Sequence, residues 1–133
     1  MFFKKKDSNE LEKIAALLIH AAKIDENYSN DEEKIIKKAL LEIGANNQNI
    51  ENIIMNAKKI EENSNQILEF TKEVKDMDES NKIKIIKTLW QIIYSNKEAD
   101  IYETSLMRRL AGLLYIDSKT MGDIKDQIKK ESL

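Results

Sequence analysis

The chain contains no cysteine and no proline, only three glycines and a single histidine. Without cysteine there is no disulfide, no zinc–thiolate site and no thiol nucleophile. One histidine, His20, excludes a multi-histidine metal site and leaves a Ser-His-Asp arrangement a single candidate base. Absent proline and scarce glycine argue against a turn-rich β fold and for helices throughout. Charge of one sign is lacking too: 22 Lys and Arg face 24 Asp and Glu, a net of −2, so no global field favours nucleic acid or an acidic substrate. No stretch approaches the ~20 apolar residues of a membrane span. Nor does an apolar signal region follow Met1-Phe2-Phe3-Lys4-Lys5-Lys6, so the cytoplasm is the expected location. What is present, in 133 residues that are 41% hydrophobic and 35% charged, suits one helical domain with a single core. Lysine, isoleucine and asparagine make up 52 of those residues, a bias that gives any one of them little functional weight.

Apolar spacing marks seven helices, at about 9–25, 30–44, 47–61, 65–76, 79–96, 101–115 and 118–131. The first carries Leu11, Ile14, Ala15, Leu18 and Ala22 on one face, and Gly44 is placed to end the second. The fifth, with Ile83, Ile85, Ile86, Leu89, Trp90, Ile92 and Ile93, is apolar almost all round and is expected to be the most buried. The chain also matches itself when slid by 71 residues without a gap: Ile14 falls on Ile85, Leu18 on Leu89, Ile36 on Met107, Ile43 on Leu114 and Ile53 on Ile124. A register that persists through three helices and two loops implies two three-helix pseudo-repeats, about 10–61 and 79–131, joined by the fourth helix. Residues 1–8 read as a lead-in and 9–133 as one all-α domain.

The repeat aligns two oxygen-rich loops. Positions one, three, five and eight are Asp25, Asn27, Ser29 and Glu32 in the first, and Asn96, Glu98, Asp100 and Glu103 in the second. Alternate oxygen ligands closed by a glutamate suit a hard divalent cation such as calcium or magnesium. The opening Asp-x-Asn-x-Ser is similar to an EF-hand loop but departs at Asn30, where glycine is required, and at Ile36, where a bidentate glutamate is. Ser29-x-x-Glu32 and Asp100-x-x-Glu103 equally fit helix capping boxes, and capping is the first reading of those four residues. Capping leaves Asp25 unexplained, because an anion at a helix C-terminus opposes the macrodipole. Residues 25–33 carry a charge of −5 and residues 96–103, with Lys97, only −2, so any ion is expected first and weakly at the first loop.

The run from Leu18 to Leu41, the stretch from Phe70-Thr71 to Leu89-Trp90, and Met107-Arg108-Arg109-Leu110-Ala111-Gly112-Leu113-Leu114 together resemble the TerB family of bacterial proteins, over roughly residues 10–130. The resemblance implies an all-helical bundle similar to the amino-terminal domain of DjlA-type co-chaperones, an association with tellurite resistance, and acidic Asp-Gly…Glu loops read as metal sites. Asp25 and Glu32 match the first such loop, with Glu26 in place of glycine; Asn96 and Lys97 replace Asp-Gly in the second, which keeps Glu103.

Other residues have plainer readings. His20, opposite the Leu11/Leu18 face, is expected in solvent, Trp90 and Tyr94 in the core, and Arg108 and Arg109 in salt bridges across the pseudo-two-fold, with an anion site as the sharper alternative. Lys37-Lys38, Lys58-Lys59 and Lys129-Lys130 read as solvated faces too short to track phosphates. The three lysines before residue 7 allow at most weak contact with an anionic membrane. The expected function is a non-enzymatic, stress-associated protein-interaction module, a monomer or weak dimer with an unknown protein partner, tuned by a divalent cation at the acidic loops. A dedicated metal-binding protein is the alternative, and a metal-dependent hydrolase built on Asp25 and Glu32 ranks third: the chain has no phosphate-cradling glycine loop and no thiol, and its one histidine is expected in solvent.

Overall fold

The apolar spacing resolves into helices at the expected places. The computed structural model describes residues 8–23, 30–63, 68–94 and 101–131, which form α1 (Ser8–Ala22), α2 (Asn30–Ile43), α3 (Ile50–Glu62), α4 (Leu68–Lys75), α5 (Glu79–Tyr94), α6 (Ile101–Leu113) and α7 (Ser118–Glu131), with no strand among them. Two helices occupy the centre. α5 packs against α1, α2, α4 and α7, burying Ile85, Ile86, Leu89, Trp90, Ile92 and Ile93. α1 packs against α2, α3, α4 and α5, and every residue from Ile14 to Ile19 is at most 1% exposed. The expectation that α5 would be the most buried therefore needs correction, since α1 is buried at least as completely. Ala15, Ala16, Ala21 and Ala22 explain the difference: alanines weigh little in a hydrophobic pattern, yet their short side chains let neighbours close in from every side.

The two halves share their turns as well as their helices. After α2, Gly44 has φ +139° and the Ala45 N–H donates to the Leu40 carbonyl at 2.9 Å. Seventy-one residues later Tyr115 has φ +57° and the Ile116 N–H donates to the Ala111 carbonyl, also at 2.9 Å. Both are left-handed residues closing a helix with the same long-range bond to its last turn. The next helix is then entered in the same way: Asn46 Oδ1 accepts from the Asn49 N–H at 2.9 Å, and Asp117 Oδ1 from the Thr120 N–H at 2.6 Å. Identical hydrogen bonds at a fixed offset are a stricter sign of repetition than matched apolar residues. The fold is thus two three-helix units joined by α4.

The symmetry is broken at α6. In the first half the backbone of α2 packs closely against α1 and α3; in the second, α6 approaches α4 closely and neither α5 nor α7 to the same extent. A space is left between α5, α6 and α7.

Candidate functional site

Most of the residues that the sequence nominates as ligands, Asp25, Asn27, Ser29, Asn96, Glu98 and Asp100, together with the side chain of Glu103, lie outside the described residues. Glu32 is described. It sits in the first turn of α2, 1% exposed, with its carboxylate engaged. No group of three or more His, Cys, Asp or Glu positioned to hold a metal occurs among the described residues.

The space beside α6 is a cleft of about 630 Å³, within the range of small-ligand and side-chain pockets. Its floor is apolar. Trp90, only 2% exposed, stacks on Tyr94 at 5.9 Å between ring centroids and donates its indole N–H to Met121 Sδ at 3.4 Å. Met107, Ala111 and Ile116 complete the apolar lining. Polar groups stand at the rim: Arg108 from α6, and Asp117, Ser118 and Lys125 from α7 and the turn before it. Lys125 Nζ lies 5.4 Å from the centre of the Trp90 ring, a cation–π contact that holds the ammonium at the cleft wall. Among the described residues Asp117 is the one carboxylate in the lining, and it is already committed. The backbone N–H of Thr120, and then its hydroxyl, hold that carboxyl below its ordinary range, as expected of a helix cap.

Two of the three glycines in the chain, Gly112 and Gly122, also line this cleft. Glycine inside a helix is unfavourable by roughly 1 kcal/mol relative to alanine and is usually kept for close packing. Neither serves that purpose, because a Cβ at either position would meet nothing within 4 Å. What they border is open volume. The internal repeat shows how it arises. Ala111 and Gly112 stand 71 residues after Leu40 and Leu41, and Lys125 stands 71 after Ile54. In the first half Leu40 and Ile54 are 0% and 3% exposed, part of the packed core. At the matching positions the second half has smaller or charged residues, and these border the open cleft.

Several singled-out residues differ from expectation. Arg108 and Arg109 are exposed, and none of the expected ion pairs across the pseudo-two-fold is formed among the described residues. His20 is not simply solvated. Its side chain is 36% exposed, and Nδ1 lies 3.2 Å from Glu61 Oε2, while Lys23 Nζ donates to Glu61 Oε1 at 2.6 Å, tying the end of α1 to the end of α3. Burial pushes the Glu61 carboxyl up, but the bonds from Lys23 and His20 outweigh it and leave the group below the usual glutamate range. Lys37 is bonded rather than free, whereas Lys38 joins Lys84 and Lys87 around a smaller groove of about 260 Å³ between α2 and α5.

Sequence reasoning placed Trp90 inside but did not find the cleft. The signal available was a pair of helical glycines, Gly112 in the last turn of α6 and Gly122 inside α7, in a chain that otherwise avoids glycine.

No described helix is long and apolar enough to cross a membrane. Neither a curated protein nor a solved structure matches the chain. A family model does, that of tellurite resistance protein TerB, over residues 11–126. This match takes in most of both pseudo-repeats, the connecting helix and every residue named in the cleft, and so the chain belongs to the TerB family.

Proposed function

We propose that this TerB protein is a non-enzymatic protein-interaction module that receives an apolar side chain of a partner protein in the cleft between α5, α6 and α7. The observation that carries this reading is the pair Gly112 and Gly122, one in the last turn of α6 and one inside α7: a Cβ at either would meet nothing within 4 Å, and both border one cleft with an aromatic floor. A buried aromatic and two methionines give an adaptable apolar seat of the kind that recurs at protein interfaces. Among the described residues the lining offers no acid–base pair, since its single carboxylate, Asp117, is spent on the Thr120 N–H. That favours binding over catalysis. The family's description supports placing the module in a stress response. We take it to act in the cytoplasm as a monomer or weak dimer.

The acidic stretch at residues 25–33 supports an accessory role for a divalent cation. Glu32 is its one described member of the expected set, and burial at the head of α2 fits a carboxylate that faces the protein rather than solvent. Calcium and then magnesium titrations followed by NMR, repeated on Asp25→Asn, test this. Shifts confined to residues 25–33 and lost in the variant are expected. Unmoved amides at millimolar ion would remove the cation from the proposal.

The main reading is tested by ¹H–¹⁵N shift mapping with an amphipathic helical peptide that presents leucines on one face. Expected shifts fall on the Trp90 indole, Met107, Gly112, Met121 and Gly122. Shifts spread over α2 and α3 instead would refute the cleft as the binding face. Self-docking of a second copy would show as concentration-dependent mass in light scattering.

A further inference from the structure

The two halves of the fold can be compared at the edge where the second helix of each unit meets the third. In the first half this edge is closed by charge. Lys37 on α2 donates to Glu51 Oε1 on α3 at 2.6 Å and lies 3.7 Å from Glu33 Oε2. The bond from Glu51 raises the Lys37 ammonium above the ordinary lysine range. In the second half the residue 71 positions after Lys37 is Arg108, so the cation is retained. Its acceptors are not: Gly122 stands in the place of Glu51 and Thr104 in the place of Glu33. Arg108 accordingly has no salt bridge among the described residues. The turn leading from α6 to α7 keeps the hydrogen bonds of the turn from α2 to α3, so Gly122 corresponds in register to Glu51, and Arg108 and Gly122 line the same cleft. No side chain closes the edge at Gly122, and a Cβ added there would meet nothing within 4 Å.

Resting on the cleft as the binding face, we infer that Arg108 receives a carboxylate from the partner in the position that Glu51 fills in the first half, so that the partner segment is acidic as well as apolar. Three observations agree on the chemistry. The cation has changed from lysine to arginine, whose planar fork holds a carboxylate through two parallel bonds where an ammonium offers a point charge. A second cation, Lys125, sits one turn beyond Gly122 on α7 and borders the same opening, where the first half has the apolar Ile54. Among the described residues the only acid in the lining, Asp117, is turned to its own helix cap and does not compete. A glutamate of the partner at Gly122 would lie between two cations, with an apolar neighbour reaching the Trp90–Met121 floor. The occupant is a protein segment carrying leucine and glutamate about one helical turn apart.

Two experiments read this out. The first needs no partner. Gly122→Glu restores in cis the residue found in the first half. It is expected to raise the melting temperature more than Gly122→Ala does, and to lose that extra gain when combined with Arg108→Gln. Equal effects of Gly122→Glu and Gly122→Ala, or a gain indifferent to Arg108→Gln, would overturn the assigned carboxylate position. The second compares two helical peptides, one with leucine and glutamate a turn apart and one with glutamine for the glutamate, by fluorescence of the single tryptophan. The glutamate peptide is expected to bind at least roughly tenfold more tightly, and to lose that advantage on Arg108→Gln and on Gly122→Glu. Should both peptides bind the cleft equally, the carboxylate inference fails while the binding face stands. If neither perturbs Trp90 at millimolar concentration, the binding face fails and the inference falls with it.

Discussion

The same substitution, glycine to alanine, is expected to act with opposite sign at two positions of this chain. At Gly122, inside α7, the backbone is helical and an added Cβ meets nothing within 4 Å. There is no steric penalty, and alanine restores roughly 1 kcal/mol of helix propensity. At Gly44 the added Cβ also meets nothing within 4 Å, but φ is +139°, a conformation that L side chains rarely adopt. Forcing alanine to hold it costs roughly 1–2 kcal/mol, more than the gain from restricting the unfolded chain. For a domain of this size about 1 kcal/mol corresponds to some 3–5 °C in melting temperature. Gly122→Ala should therefore melt a few degrees above the parent and Gly44→Ala several degrees below, measured by calorimetry or far-ultraviolet circular dichroism. A destabilised Gly122→Ala would mean that α7 is packed too closely there for a methyl group. The open cleft, and the reason given for its glycines, would then be wrong.

Leu89 is 0% exposed on a helix that touches four others, so Leu89→Ala should cost about 2–5 kcal/mol, and an unchanged melt would refute the central placement of α5. The Glu61 carboxyl is held below its unfolded value, so its contribution to stability is present above an unfolded pKa of about 4.3 and is lost as pH falls through the lower folded value. Glu61→Gln should flatten that part of the acid limb in urea titrations at a series of pH values; an identical acid limb would show that the bonds from Lys23 and His20 do not hold in solution. Filling the cleft should leave the monomer intact, so light scattering of Gly112→Leu is expected to match the parent, whereas loss of a dimer would identify the cleft as a self-association face.

The helices were legible because buried faces impose a 3.6-residue period, and the repeat because both halves obey it in one register. Ile36 on Met107 and Ile53 on Ile124 are pairs of buried residues in the structure as they are in the alignment. The share of the core held by α1 was less legible, since Ala15, Ala16, Ala21 and Ala22 signal little hydrophobicity while permitting the closest approach. Charge pairing was least legible. His20 meets Glu61 across 41 positions and Lys37 meets Glu51 across helices, contacts that a one-dimensional pattern cannot specify. The cleft was hinted at by Gly112 and Gly122, but that Ala111 stands for the buried Leu40 and Lys125 for the buried Ile54 beside an open volume shows only in the structure. Tyr115 illustrates the same point: nothing in an exposed aromatic reveals that it takes the left-handed position of Gly44, with its ring 4.9 Å from Lys75 Nζ.

The most direct test of the cleft as the binding face is calorimetric titration of the leucine–glutamate helical peptide into the parent protein and into Gly122→Leu, whose side chain would occupy the open volume above Trp90 and Met121. Binding to the parent at one peptide per chain, lost in a variant that melts no lower than the parent, is the expected result. Equal binding to both proteins would contradict it, and would place the interaction surface of this TerB chain somewhere other than between α5, α6 and α7.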